Sequence, residues 1–152
     1  MTKILIKNRD EIEEMRFEPK TAVISITDYG YTFANLKHKP DYILQLAFDD
    51  VDNDVFIDEL GRKPTEKERQ RIEGKYHMFT DAQADKVATF YSEVSPCVDT
   101  IICQCEHGQS RSAAIAAAIL EHKCRKGILV FSDDRYYPNK TVFRKTLKAI
   151  QG

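Results

Sequence analysis

The stretch TIICQCEHGQSRSAAIAAAI, residues 100–119, constrains the fold more than any other part of the chain. Its opening run, TIICQC, carries no charge and is rich in β-branched residues, the pattern of a strand covered on both faces. From Arg111 to Cys124 (RSAAIAAAILEHKC) the sequence turns alanine-rich and apolar on most sides. That composition is what a helix buried against a sheet should have. A buried strand that passes through a short polar segment into a buried helix belongs to an α/β arrangement.

The rest of the chain repeats this rhythm. Apolar runs bounded by charges lie at Lys3–Ile6, Thr21–Ile26, Tyr42–Phe48 and Thr100–Cys105, and are read as strands. AVISI, YILQLAF and TIICQC are nearly continuously apolar, as strands buried on both faces of a parallel sheet are. Between them lie helical patterns. Asn8 followed by Glu11 forms a capping-box pair opening a short helix through Met15, and Ala84, Val87, Ala88, Tyr91 and Val94 recur at helical spacing. A last helix, Val142–Ile150, follows Pro138 and Asn139. The expectation is an α/β fold with a mostly parallel central sheet of about four or five strands flanked by helices. At 152 residues and 42% hydrophobic content, residues 1–152 are expected to form one domain.

One stretch breaks the rhythm, a charged insertion at about 53–78 and its acidic approach. Residues 49–59 (DDVDNDVFIDE) carry six acids and no base, whereas 61–75 (GRKPTEKERQRIEGK) carry six bases and three acids. Pro64 suits the first turn of a short charged helix. Two readings follow: a solvated insertion whose halves attract one another, or a lid over a functional site.

Charge excludes some partners. Lys and Arg total 23 against 24 Asp and Glu, so a net charge of -1 gives no global attraction to nucleic acid or anionic membrane. No apolar run reaches the roughly 20 residues of a bilayer span. MTKILIKNRDEIEEM turns charged after Ile6, too early for a secretory signal, so a cytoplasmic protein is expected; a monomer is expected as well. Cys97, Cys103, Cys105 and Cys124 form no disulfide framework and are read as free thiols. Cys103, Cys105 and His107 alternate as CxCxH, but no fourth ligand stands at zinc spacing, so no metal is expected.

The chemistry concentrates between Cys105 and Arg111. Five intervening residues, Glu106, His107, Gly108, Gln109 and Ser110, can wrap into a cradle of backbone N–H groups, and the helix that follows adds its own unpaired N–H groups and positive dipole end. Gly108, lacking a Cβ, can take a left-handed conformation or admit an oxygen closely. Arg111 supplies a planar fork suited to two phosphoryl oxygens, a geometry lysine lacks. The same positive surroundings favour a thiolate, so Cys105 is expected to be a nucleophile.

CEHGQSRS resembles the CX5R[S/T] signature loop of the protein tyrosine phosphatase superfamily, particularly its compact dual-specificity branch and small bacterial and phage members. The resemblance is firmest from about Asp81 to Ala118 and weaker at YYPN, Tyr136–Asn139; the first 78 residues match only in strand order. It implies a phosphatase-like three-layer sandwich, a phosphocysteine intermediate on Cys105, phosphoryl binding by Arg111, and a Ser112 hydroxyl that helps the thiolate leave. Ser112 also has a plainer reading, a first-turn serine bonding its own backbone. The family usually places His before the nucleophile, where this chain has Gln104, so the hydrogen bonding around the thiolate differs. Glu106 and Gln109 stand where relatives acting on polyphosphorylated inositol lipids tend to place Lys. A singly phosphorylated protein or small phosphomonoester is therefore the expected substrate, with no cofactor. A silent phosphate-binding module and a sulfurtransferase are the alternatives.

An alkyl or tyrosyl ester leaves poorly unless protonated, so the reaction calls for a carboxylic acid. The family uses an upstream Asp. LAFDDVDND offers Asp49, Asp50, Asp52 and Asp54 after a strand whose C-terminal end should face the ligand. Alternation through Phe48 makes Asp50 the first choice, with Asp49 and Asp52 open. Asp81 is the rival, otherwise read as the cap of a helix beginning near Ala82. The acidic cluster lacks the Gly and Glu of a calcium loop, with Val55 and Gly61 in their places.

Overall fold

The computed structural model describes residues 2–152. Four strands, β1 (Lys3–Lys7), β2 (Thr21–Thr27), β3 (Tyr42–Ala47) and β4 (Thr100–Gln104), form one parallel sheet in the order β1-β4-β2-β3. Seven helices accompany them: α1 (Arg9–Glu14), α2 (Asp54–Leu60), α3 (Glu66–Lys75), α4 (Asp81–Val94), α5 (Arg111–Cys124), α6 (Ile128–Phe131) and α7 (Lys140–Gln151). The fold is α/β, a parallel four-stranded sheet flanked by helices.

Strand alternation divides the core into two faces. Ala22, Ile24 and Ile26 of β2 and Ile101 and Cys103 of β4 pack with Ala84, Val87, Ala114, Ile115, Ile119 and Val142 of α4, α5 and α7. Val23 and Ile102 face the other way, onto Ile12 of α1 and Ala34. Every residue of β2 is buried, as its apolar run requires. β3 departs from that reading: it is an edge strand, and Tyr42 and Ile43 are 41% and 43% exposed because no strand covers that side.

Helix α5 is buried at every position from Arg111 to Ile119, so its alanines let it lie close to both the sheet and α6. The parallel strands all point their C-terminal ends one way, and β4 sits between β1 and β2, so the β4–α5 connection emerges centrally among those ends.

The charged stretch folds rather than looping. Phe56 of α2, Ile72 of α3 and Met78 bury one another in a small cluster of their own. Glu59 accepts hydrogen bonds from Lys75 Nζ at 2.8 Å and from the Tyr76 hydroxyl, joining the acidic half to the basic half. Helix α3 begins at Glu66, so Pro64 precedes the cap and does not sit in the first turn; the cap is Thr65, in a capping box with Glu68. α4 is likewise capped by Thr80, with Gln83 completing the box, so Asp81 is the first helical residue and not the cap. Among the described residues, no helix is long and apolar enough to cross a membrane.

Candidate active site

The loop after β4 is fastened by its carbonyls. Glu106 C=O accepts from Arg9 N–H at 3.2 Å, Gln109 C=O from Tyr137 N–H at 2.8 Å, and Ser110 C=O from Asn139 N–H at 3.2 Å. Its donors are not used in this way. Among the described residues, no backbone N–H from 106 to 113 donates to a protein acceptor. A bend with satisfied carbonyls and unpartnered amides, continuing into a helix N-terminus, has the polarity that receives an anion.

Gly108 makes this path feasible. Its φ is +65°, and a Cβ there would lie 2.9 Å from both Asn8 N and Lys7 C, where β1 passes into α1. Those are backbone atoms, so no side chain can yield to make room. Arg9 ties the same corner: its Nε donates to Glu106 Oε2 at 2.8 Å and its Nη2 to Thr27 Oγ1 at 3.1 Å. Glu106 is thereby paired with a cation next to Cys105, while His107 and Gln109 are exposed.

Arg111 is 5% exposed and held by one nitrogen. Nη1 donates to Asp28 Oδ1 at 2.6 Å and to Phe48 C=O at 2.8 Å. Nε is buried with no partner, and Nη2 makes no hydrogen bond among the described residues. Nε and Nη2 together form the edge of a guanidinium that grips two oxygens of one anion. A buried donor left unpaired costs about 1–3 kcal/mol, a cost that a bound oxyanion would offset.

Cys105, 2% exposed, is the first residue beyond β4, and its Sγ lies 3.0 Å from Ser112 Oγ in the first turn of α5. The serine hydroxyl thus bonds the thiol and is not folded back on its own backbone. Cys103, two residues earlier, is wholly buried, and burial pushes its thiol up, with the nearby Cys105 adding to the effect. Gln104 is fully buried between them; its Oε1 accepts from Ser25 Oγ at 2.5 Å and its Nε2 has no partner among the described residues.

The four candidate acids have separate fates. Asp50 Oδ1 accepts from Ser110 Oγ and from Asn139 Nδ2, each at 2.8 Å, which brings this carboxylate against the Cys105–Arg111 loop. Asp49 turns to Tyr29 N–H at 2.9 Å. Asp52 accepts from Thr141 Oγ1 at 2.9 Å at the start of α7. Asp81 is 81% exposed and 3.8 Å from Lys145 Nζ.

Three residues that reach this loop escape a sequence reading: Arg9, Asp28 and Asn139. Asp28 orients Arg111; its signal is an acid directly after the buried strand β2, the same logic that singles out Asp50. Asn139 stands in YYPN, but nothing in that motif announces its bond to Asp50. His77, just after α3, packs against the segments that carry Tyr29 and Asp49. It adopts φ +50°, stacks on Tyr29 at 3.6 Å with the rings 6° apart, and its C=O accepts from Asp49 N–H at 2.8 Å.

No protein-family model matches the chain, and no curated protein matches it. Among solved structures, the crystal structure of PTPMT1 is similar over 88% of this chain and 76% of that one, at 13% identity and a TM-score of 0.39. A likeness so distant carries no statement about the chemistry of this chain.

Proposed function

We propose that this chain is a cysteine-dependent phosphomonoester hydrolase of the protein tyrosine or dual-specificity phosphatase type. The observation that carries the reading is Arg111, whose Nη1 is pinned while its buried Nε lacks a partner, beside a run of unpartnered loop amides. A phosphoryl dianion supplies the acceptors both require.

In the first step the Cys105 thiolate attacks phosphorus; the S–P bond forms, the P–O bond to the leaving group breaks, and the Asp50 carboxyl gives its proton to the departing oxygen. In the second, water attacks phosphorus, Asp50 takes its proton, and the S–P bond breaks to release inorganic phosphate. Ser112, 3.0 Å from the sulfur, donates to the departing thiolate. The loop offers one guanidinium and no lysine, and Glu106 is taken up by Arg9, which suits a single phosphate on a protein or small molecule better than a polyphosphorylated headgroup.

Turnover of p-nitrophenyl phosphate, inhibited by vanadate and abolished in Cys105→Ser, is the expected result. Vanadate-sensitive binding without turnover would replace catalysis with a silent phosphate-binding module. Sulfur transfer from thiosulfate to cyanide without phosphatase activity would assign Cys105 to a sulfurtransferase.

A further inference from the structure

Asn139 uses every polar atom it has. Its N–H donates to Ser110 C=O at 3.2 Å, and its Oδ1 accepts from Val142 N–H at 3.0 Å, capping α7. Its Nδ2 donates to Asp50 Oδ1 at 2.8 Å and to Val51 C=O at 3.2 Å. The residue is 5% exposed, so this amide is fixed by its surroundings. Asp50, by contrast, is exposed and lies on a loop after β3, where nothing in its own segment sets its rotamer.

We propose that Asn139 is the positioning residue for the general acid, holding Asp50 through Oδ1 so that Oδ2 is the oxygen that carries and delivers the proton. The inference rests on the hydrolase reading above. Both donors to Asp50, Ser110 Oγ and Asn139 Nδ2, fall on Oδ1, and Oδ2 accepts from no protein donor among the described residues. A carboxylic acid bonded in this way keeps its proton on the unbonded oxygen, since the other already receives two hydrogens. During cleavage that proton passes from Oδ2 to the leaving oxygen as the P–O bond breaks and the S–P bond forms. In hydrolysis of the intermediate the same oxygen takes a proton from the attacking water. Ser110 belongs to the loop that would hold the phosphate and Asn139 to the helix behind it, so the acid is indexed to the anion site from both sides.

The test compares Asn139→Ser with wild type on phosphotyrosine and on p-nitrophenyl phosphate, whose leaving group needs little protonation. Serine retains a good helix cap but has no amide to reach Asp50. The ratio of kcat on p-nitrophenyl phosphate to kcat on phosphotyrosine should rise roughly tenfold, part of the 10²–10⁴ that a placed acid supplies. In an Asp50→Asn background, where the acid is already gone, adding Asn139→Ser should leave that ratio unchanged. Equal losses on both substrates, or a ratio that still rises in the Asp50→Asn background, would overturn the proposal and leave Asn139 as a helix cap alone. Thermal unfolding verifies the fold of each variant; if the serine variant does not fold, Asn139→Thr, also a capping residue, is read by the same ratio. A wild type without turnover on either substrate would instead remove the hydrolase reading, and this inference with it.

Discussion

Arg111 and Asp28 meet at 2.6 Å through a single guanidinium nitrogen, in a pair whose arginine side chain is 6% exposed and whose aspartate side chain is 37% exposed. That asymmetry gives Asp28 the part of an anchor. It fixes the plane of the guanidinium from the end of β2, while the opposite edge, Nε and Nη2, stays unengaged by protein. Phe48 C=O reinforces the same nitrogen from the end of β3. The Arg111 guanidinium is thus set by the ends of two strands on one side of β4 and carried on the helix that follows it.

Asp28→Ala should therefore weaken both the fold and the site. The expected loss is about 2 kcal/mol, less than the ~3–5 kcal/mol of a fully buried pair because the aspartate is partly solvated. KM for a phosphomonoester should rise about tenfold as the guanidinium loses its fixed plane, with Asp28→Asn intermediate because it keeps a hydrogen bond. Thermal unfolding and steady-state kinetics check both, and an unchanged KM in the alanine variant would contradict the anchor.

Asp50→Asn should slow tyrosyl and alkyl phosphates by about 10²–10³ while slowing an activated phenyl ester far less. Asp49→Asn, Asp52→Asn and Asp81→Asn should show no such dependence on the leaving group, since their carboxylates are bonded to Tyr29, bonded to Thr141 or directed to solvent near Lys145. Equal losses on both substrates in Asp50→Asn would send the search back to those three.

Gly108→Ala should disable the loop and destabilise the chain together. The new methyl would meet Asn8 N and Lys7 C at 2.9 Å, and φ +65° is itself unfavourable for alanine. A loss of about 2 kcal/mol or more is expected. Chemical denaturation measures it, and wild-type stability with wild-type phosphate binding would show that the path of the loop is wrong.

Acid should loosen the α2–α3 region before the main core. Arg62, together with the backbone of Thr65, holds the Glu68 carboxyl at about 2, and Lys75 and Tyr76 draw Glu59 below its ordinary value. For carboxylates lowered in this way the stabilisation is complete above the ordinary value, near 4.3, and is lost as the pH falls through the folded-state value. Hydrogen exchange from pH 5 to pH 2 should show residues 54–75 opening first, and opening of α5 at the same pH would contradict it. Removing residues 56–76 tests the lid reading, which predicts altered kcat or KM because His77, just beyond, supports Asp49 and Tyr29.

The sheet is legible in the sequence because burial on both faces leaves a mark: TAVISIT and TIICQ carry no charged residue, and all but Thr100 are buried. YILQLA carried the same mark and was less buried, since nothing local distinguishes an edge strand from a central one. The helices α2 and α6 leave no such mark; Phe56 of α2 is buried against Ile72 and Met78, contacts that only the folded chain creates. Cys105, Arg111 and Ser112 stand out in the sequence because their spacing within one loop has a geometric meaning, and the fold buries all three. Asp28, Arg9 and Asn139 do not, because each reaches the site from a different element through a bond that spans 83, 97 and 89 positions respectively.

A crystal structure with vanadate tests the central claim most directly. The anion should sit among the N–H groups of residues 106–111 with two oxygens on Arg111 Nε and Nη2, vanadium bonded to Cys105 Sγ, and Asp50 Oδ2 closest to the oxygen opposite the sulfur. Vanadate bound elsewhere, or a loop that stays empty at saturating anion, would contradict it.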